Sequence, residues 1–287
     1  MIGMTKSLLW RLMRSPQGLK FARLVSEEWA QAAHFAAARG CGPQLAEIVG
    51  LAVRRGPFAR MQYPGHAAVG STLYPKLLGS YERELHDTLE RIVERPYATL
   101  VDVGAAEGYY AVGLALRMPD VAVIAFEAHA LGRQTLQEMA ALNTVAERVQ
   151  VLGTATCANL AALRPRAPIL VICDCEGGEY ELLDPAKIAW LRDADILVEV
   201  HQMHGLDGRA VLKARFAETH DITAIEVRQR DSSLYPELAG FDPRDREALL
   251  FERTDLGGWL WCVARNRVHS SLNAPASAEP LLDRTTA

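Results

Sequence analysis

The chain reads as an α/β protein built on a mostly parallel sheet covered by helices on both faces, and three observations predict it. From Ala98 onward, seven short apolar or β-branched runs alternate with helical stretches: ATLVDV, VAVIAF, RVQVLG, PILVICD, ADILVEV, DITAIEV and GGWLWCVAR. These runs carry apolar residues on both faces, as strands covered on both sides must. The first run ends in a small-residue turn and later runs end in acidic residues, which places polar chemistry at the carboxyl edge of the sheet. The length of 287 residues, 49% of them hydrophobic and 23% charged, suits one large domain with a helical addition.

Residues 1–70 are expected to form an N-terminal helical cap. Leu8, Leu9 and Leu12, then Trp29 to Ala38, then Leu45 to Val53 are spaced for buried helix faces, punctuated by Gly40, Gly42, Pro43 and Gly56. Lys6, Arg11, Arg14, Lys20 and Arg23 can face an anionic surface, but a solvated helix face explains them more simply. Residues 71–267 then hold the sheet. Within them, 228–255 is long for a connection and polar at Ser232, Ser233, Tyr235, Pro236 and Pro243, so it reads as either a substrate loop or a surface insertion. Residues 268–287 have the composition of a flexible tail.

The bulk chemistry narrows the partners. A formal charge of −4 gives no general attraction to nucleic acid. No run has the roughly 20 apolar residues of a membrane span, and the first residues show no sustained apolar region or cleavage site of a signal peptide. Cys41, Cys157, Cys173, Cys175 and Cys262 are odd in number and scattered, which suits a reducing, cytoplasmic setting. A small-molecule partner is expected, and the apolar N-terminal helices are the candidate surface for a homodimer.

The segment Leu100-Val101-Asp102-Val103-Gly104-Ala105-Ala106-Glu107-Gly108-Tyr109-Tyr110 runs from strand through turn to helix. Gly104 and Gly108 let the backbone turn sharply and approach a ligand, with Ala105 between them. The next strand ends at Glu127, where Rossmann-type sites bind ribose hydroxyls. The glycines follow GxxxG rather than the GxGxxG of dinucleotide enzymes. Asp102 and Glu107 would sit poorly beside a pyrophosphate but suit the sulfonium and ammonium of S-adenosylmethionine (SAM). Charge sign therefore favours a methyl donor over NAD.

Further along, ILVICDCEGGEYELL (169–183) carries Asp174 and Glu176 at one strand end, and ILVEVH (196–201) carries Glu199 and His201 at the next. With DVGAAEGYY and FEA, this ordered set resembles the FkbM-type family of SAM-dependent methyltransferases over about residues 98 to 201. The resemblance implies a Rossmann-like class I methyltransferase fold, a seven-stranded sheet of order 3-2-1-4-5-7-6 with strand seven antiparallel, and methyl transfer commonly to oxygen. It departs from the family at Ala106, where an Asn is typical.

Side chains two apart on an extended segment point the same way, so Asp174, Glu176, Glu199 and His201 can converge over the methyl donor. They are expected to orient an acceptor hydroxyl, with His201 or Asp174 taking its proton. A second reading makes Asp174, Glu199 and His201 a divalent-metal site for Mg²⁺, Mn²⁺ or Ca²⁺. Each carboxylate taken alone has an ordinary structural reading, with Glu179 starting a helix and Glu199 pairing with a neighbouring group. Tyr81 and Glu82 precede a helix leading into strand one and are candidate contacts for the methionine end, against the simpler reading of a helix start capped by Ser80. Thr154, after strand three, is a candidate contact for the adenine edge. His204 and His220 read as packing or surface residues, and Cys173 and Cys175 as small fillers of a buried strand. Two rivals remain: an inactive cofactor-binding scaffold, which the retained acidic cluster disfavours, and an NAD-dependent oxidoreductase, which would place a pyrophosphate at the first helix N-terminus.

Overall fold

In the computed structural model of the protein the described residues are 36–65, 68–69, 71–201, 205, 207–252 and 257–266. The expectations attached to residues 1–35, to His204 and to the tail 268–287 lie outside them, as does most of the surface considered for a dimer. Among the described residues no helix is long and apolar enough to cross a membrane.

All seven expected strands form: β1 (Thr99–Val103), β2 (Ala122–Phe126), β3 (Val149–Leu152), β4 (Ile169–Cys173), β5 (Asp195–Glu199), β6 (His220–Ile225) and β7 (Trp259–Ala264). Their order is β3-β2-β1-β4-β5-β7-β6. β1 to β5 pair in parallel, and β7 runs antiparallel to both β5 and β6. This is the Rossmann-like arrangement that the motif resemblance implied.

The helices are α1 (residues 36–49), α2 (Leu73–Leu78), α3 (His86–Val93), α4 (Tyr109–Arg117), α5 (Ala130–Leu142), α6 (Cys157–Ala162), α7 (Glu179–Leu182), α8 (Gly208–Phe216) and α9 (Pro243–Leu250). Period-two alternation divides the sheet's side chains between two cores. On one face Leu100, Val123, Leu170, Ile172 and Leu197 pack with Leu45, Phe58, Leu89, Val112 and Leu136 from α1, α3, α4, α5 and the segment after α1. On the other, Val101, Ile124, Val171 and Ile196 pack with Leu160, Leu182 and Phe216 from α6, α7 and α8. The described residues before position 66 therefore share the main core rather than sitting apart from it.

Two local expectations are corrected. Gly40, Gly42 and Pro43 do not interrupt α1, which runs through them; the ring of Tyr74 lies so close to Gly42 that a Cβ there would stand 1.8 Å from its Cζ. The helix expected over Leu45 to Val53 stops at residue 49, because Gly50 takes a left-handed φ of +72° and the chain turns into a short antiparallel bridge between Ala52 and Gln62. The described part of the 228–255 segment, residues 228–252, packs into the body of the protein rather than standing on its surface, and its Glu252 lines the cavity described below. Tyr235, Leu238, Phe241, Leu249 and Leu250 are buried in the main core, and Arg55 bonds Glu237 at 2.6 Å. The apolar residues are dispersed among polar ones, so their spacing hides the burial.

Candidate functional site

A cavity of about 940 Å³ opens at the carboxyl ends of β1, β2, β4 and β5. One wall is the turn after β1. Gly104 has φ +88°, and a Cβ there would lie 1.8 Å from the carbonyl oxygen of Asp174, so only glycine lets β1 exit this close to the end of β4. Ala106 is held at φ +48°, a region that favours Gly or Asn, and its N–H donates to Glu127 Oε2 at 2.8 Å. The other carboxylate oxygen of Glu127 accepts the His129 N–H at 2.6 Å. Gly132 leaves room for the Glu127 side chain, which a Cβ would meet at 2.7 Å. Glu127 is thus fixed at the end of β2 with its carboxylate on the cavity wall. Thr154, Ala155, His129 and Leu131 continue this wall beyond β2 and β3.

The opposite wall is built by side chains. Glu179, the first residue of α7, is fully buried; it accepts the Gly177 N–H at 2.9 Å and the His201 N–H at 3.0 Å, and meets His201 Nδ1 at 3.1 Å. Burial resists its charge, but these bonds from His201 hold the Glu179 carboxyl below its usual range. His201 Nε2 faces Asp174 Oδ1 at 3.5 Å, Glu176 Oε2 at 3.5 Å and Glu199 Oε2 at 3.7 Å. Burial works against the imidazolium, yet the Glu179 bond and the charges of Asp174, Glu179 and Glu176 outweigh it and push His201 up to about 9. At neutral pH it carries a proton on each ring nitrogen.

The segment after α9 completes the wall. Glu252 lines the cavity and is gripped by Arg230, Nε to Oε1 at 2.9 Å and Nη2 to Oε2 at 2.6 Å, while Arg230 also pairs with Glu84 at 2.8 Å. Burial lifts Glu252 to about 7 despite this pairing, which works in the opposite direction. Its Oε2 also accepts the Glu82 N–H at 3.1 Å. Glu82, at φ +45°, brings a carboxylate oxygen to within 4.8 Å of those of Asp174 and Glu199; Asp174, Glu176 and His201 form a second such group.

No protein-family model matches the chain, and no curated protein matches it. Among solved structures it is similar to the O-methyltransferase from Bacillus cereus in complex with S-adenosylhomocysteine (SAH), at 14% identity over 61% of this chain and 78% of that one, with a TM-score of 0.43. It is also similar to the O-methyltransferase TomG from Streptomyces achromogenes in complex with SAM, at 15% identity over 63% and 78% of the two chains, TM-score 0.43. A third is the C-terminal domain of precorrin-6Y C5,15-methyltransferase from Rhodobacter capsulatus, at 16% identity over 63% and 87%, TM-score 0.43.

Of the residues singled out in the sequence, Tyr81, Gly104, Ala105, Glu127, Thr154, Asp174, Glu176, Glu199 and His201 line the cavity. Asp102 and Glu107 do not, and neither does Glu82. Asp102 is the buried penultimate residue of β1, and burial, with the nearby charges of Asp174 and Glu127, raises its carboxyl to about 8 although a backbone bond from Ala111 works the other way. Glu107 is fully buried and bonded to Lys76 Nζ, the Tyr63 hydroxyl at 3.3 Å and the Val69 N–H at 3.1 Å. The sign of these two charges was readable in the sequence, but their direction was not. The acidic side chains on the walls are instead Glu127, Asp174, Glu176 and Glu199, with the Arg230-paired Glu252. Gly108 likewise acts in the turn, as the left-handed residue that starts α4, rather than in the lining.

Sequence reasoning missed Lys76, Glu179 and Glu252. Glu179 had a visible signal, the third acidic residue of DCEGGE, and it does begin a helix as its position indicated, but its clamp on His201 was not legible. Cys175 was read as a strand filler, whereas it follows β4 and lines the cavity, its Sγ 3.5 Å from that of the buried Cys173. All five cysteines are free thiols.

Proposed function

We propose that the protein is a SAM-dependent methyltransferase of the FkbM type that methylates a hydroxyl of a small, sugar-like acceptor in the cytoplasm. Residues 71–267 form its methyltransferase domain and residues 1–70 its N-terminal cap. The observation that carries the reading is the single cavity with two unlike walls: a glycine turn with a fixed carboxylate at the end of β2, facing a side-chain cluster of Asp174, Glu199, Glu252 and His201. The donor set fits SAM. Glu127 keeps oxygen lone pairs for the ribose hydroxyls, Thr154 and its neighbours suit the adenine edge, and the acidic facing wall tolerates a cationic sulfonium and ammonium. A dinucleotide pyrophosphate would meet that acidic wall unfavourably.

When bound, SAM supplies a methyl group activated by its positive sulfur, so the protein need not form a covalent intermediate. His201, already protonated and clamped by Glu179, serves as a donor that orients the acceptor, not as the base. That revises the pairing expected from sequence and leaves Asp174 to accept the hydroxyl proton as the new bond to oxygen forms. Tyr81, Tyr109 and Tyr110, with Val103, Phe126 and Leu131, contribute apolar lining that limits water. A divalent cation is the second reading, favoured by the convergence of Glu82, Asp174 and Glu199, an oxygen-only set suited to Mg²⁺, Mn²⁺ or Ca²⁺. Charged His201 fits that role less well than Glu82.

Calorimetric titration with SAH and with NAD tests the cofactor. Micromolar SAH binding, weakened at least about tenfold by Glu127→Ala, is expected; preferential binding of NAD would sink the reading. Screening hydroxylated acceptors with and without chelator, followed by Mg²⁺, then separates the metal-free and metal-assisted forms.

A further inference from the structure

Lys76 is the only lysine or arginine among the described residues that line the cavity. Its side chain is 3% exposed. The ammonium has three N–H donors. One goes to Glu107 and one to Ser71 Oγ at 2.7 Å, and no described residue takes the third. The rings of Tyr81 and Tyr109 stand 4.7 Å and 5.2 Å from Nζ, so the cation is held between aromatic faces at the cavity wall. Glu107 is in turn fixed by Tyr63 and the Val69 N–H, and it neutralises the lysine without reaching the cavity itself.

We infer that Lys76 is a carboxylate-reading residue, presenting its remaining N–H to the carboxylate at the amino-acid end of the cofactor. The inference rests on the SAM reading above and adds a specific ligand subsite to it. Of the two cationic side chains on this lining, His201 is already taken up by Asp174, Glu176, Glu179 and Glu199, which leaves Lys76 as the place on an otherwise acidic wall that attracts an anion. A ligand with two cationic centres and one carboxylate can satisfy such a surface only if its carboxylate lies there. The pairing is a charge-assisted hydrogen bond in a desolvated setting, the strongest class of hydrogen bond available to the site. Glu107 acts as the positioning partner that aims the ammonium before the ligand arrives.

The test compares SAH with its decarboxylated analogue, 5′-deoxy-5′-(3-aminopropylthio)adenosine, by calorimetry on the full chain. The unaltered protein is expected to prefer SAH by about tenfold to a hundredfold, the range for a hydrogen bond to a charged group. Because Lys76→Met alone strands a buried carboxylate, the matched variant is Lys76→Met/Glu107→Gln, with folding checked by circular dichroism. In that variant the preference is expected to shrink to about twofold or less. Tight SAH binding by the unaltered protein with equal affinity for the analogue overturns the inference and leaves the cofactor reading intact. A preference that survives in the folded double variant also overturns it, since another group must then hold the carboxylate. No SAH binding by the unaltered protein removes the cofactor reading itself, and the subsite with it.

Discussion

The two walls of the cavity are made differently. The wall at β1 and β2 is mostly backbone: a glycine turn, a left-handed alanine and one carboxylate whose two oxygens both hold N–H groups. The wall at β4 and β5 is mostly side chain, with Asp174, Glu176, Glu179, Glu199 and His201 brought together from two strand ends and Glu252 added from a third segment. A backbone wall depends on conformation, so a single residue can destroy it. A side-chain wall depends on charge balance, so its failures appear in titration before they appear in stability.

The largest expected effect breaks the backbone wall. Gly104→Val forces a β-branched side chain into φ +88° and onto the Asp174 carbonyl. It should lower unfolding free energy by about 3 kcal/mol or more and abolish SAH binding, as read by urea denaturation and calorimetry. Retention of both would show that the turn can relax and that the contrast between the walls is overstated.

A middle-sized effect probes the side-chain wall. Glu179→Gln removes the main support of the His201 charge, so the imidazole should titrate well below its present value of about 9, toward 6.5, by NMR. The sign for stability follows from a folded value above the unfolded one. The proton on His201 favours the folded state, fully below pH 6.5, with the benefit lost as pH rises through about 9. The unaltered protein should therefore lose up to about 3 kcal/mol across that window, and the Gln variant much less.

The smallest effect sharpens the boundary between the cavity wall and the buried interior. Asp102 does not line the cavity and titrates near 8, so Asp102→Asn should change SAH affinity by no more than about twofold. Because its folded value exceeds the unfolded 3.8, the native carboxyl keeps a proton that the unfolded chain has already released. Its burial therefore costs stability increasingly from about pH 4 to 8, and the Asn variant should be the more stable above pH 8. A large loss of SAH affinity would return Asp102 to the ligand-binding role its sequence position suggested.

The same division explains what the sequence disclosed. The strands, the glycine turn and Glu127 depend on local pattern, and all seven strands and the turn lie where their residues indicated. The acidic strand ends were visible too, since alternation fixes which side chains share a direction. Lys76, Glu179 and Glu252 escaped because their meaning lies in partners: Lys76 is defined by Glu107, 31 residues on, and Glu252 by Arg230 and the Glu82 N–H, 170 residues back. Asp102 and Glu107 were misread for a related reason. Their charge is a property of the residue, whereas the direction of a buried side chain is set by helix and strand packing.

β7, the last of the described strands, lies between β5 and β6 rather than at an edge. On the ribosome, β5 must therefore wait with one side unpaired, and β6 has no place in the sheet until residues 259–264 emerge. A nascent chain halted before β7 could hold its glycine turn and most of its parallel strands, but it would have no finished chamber in which to work.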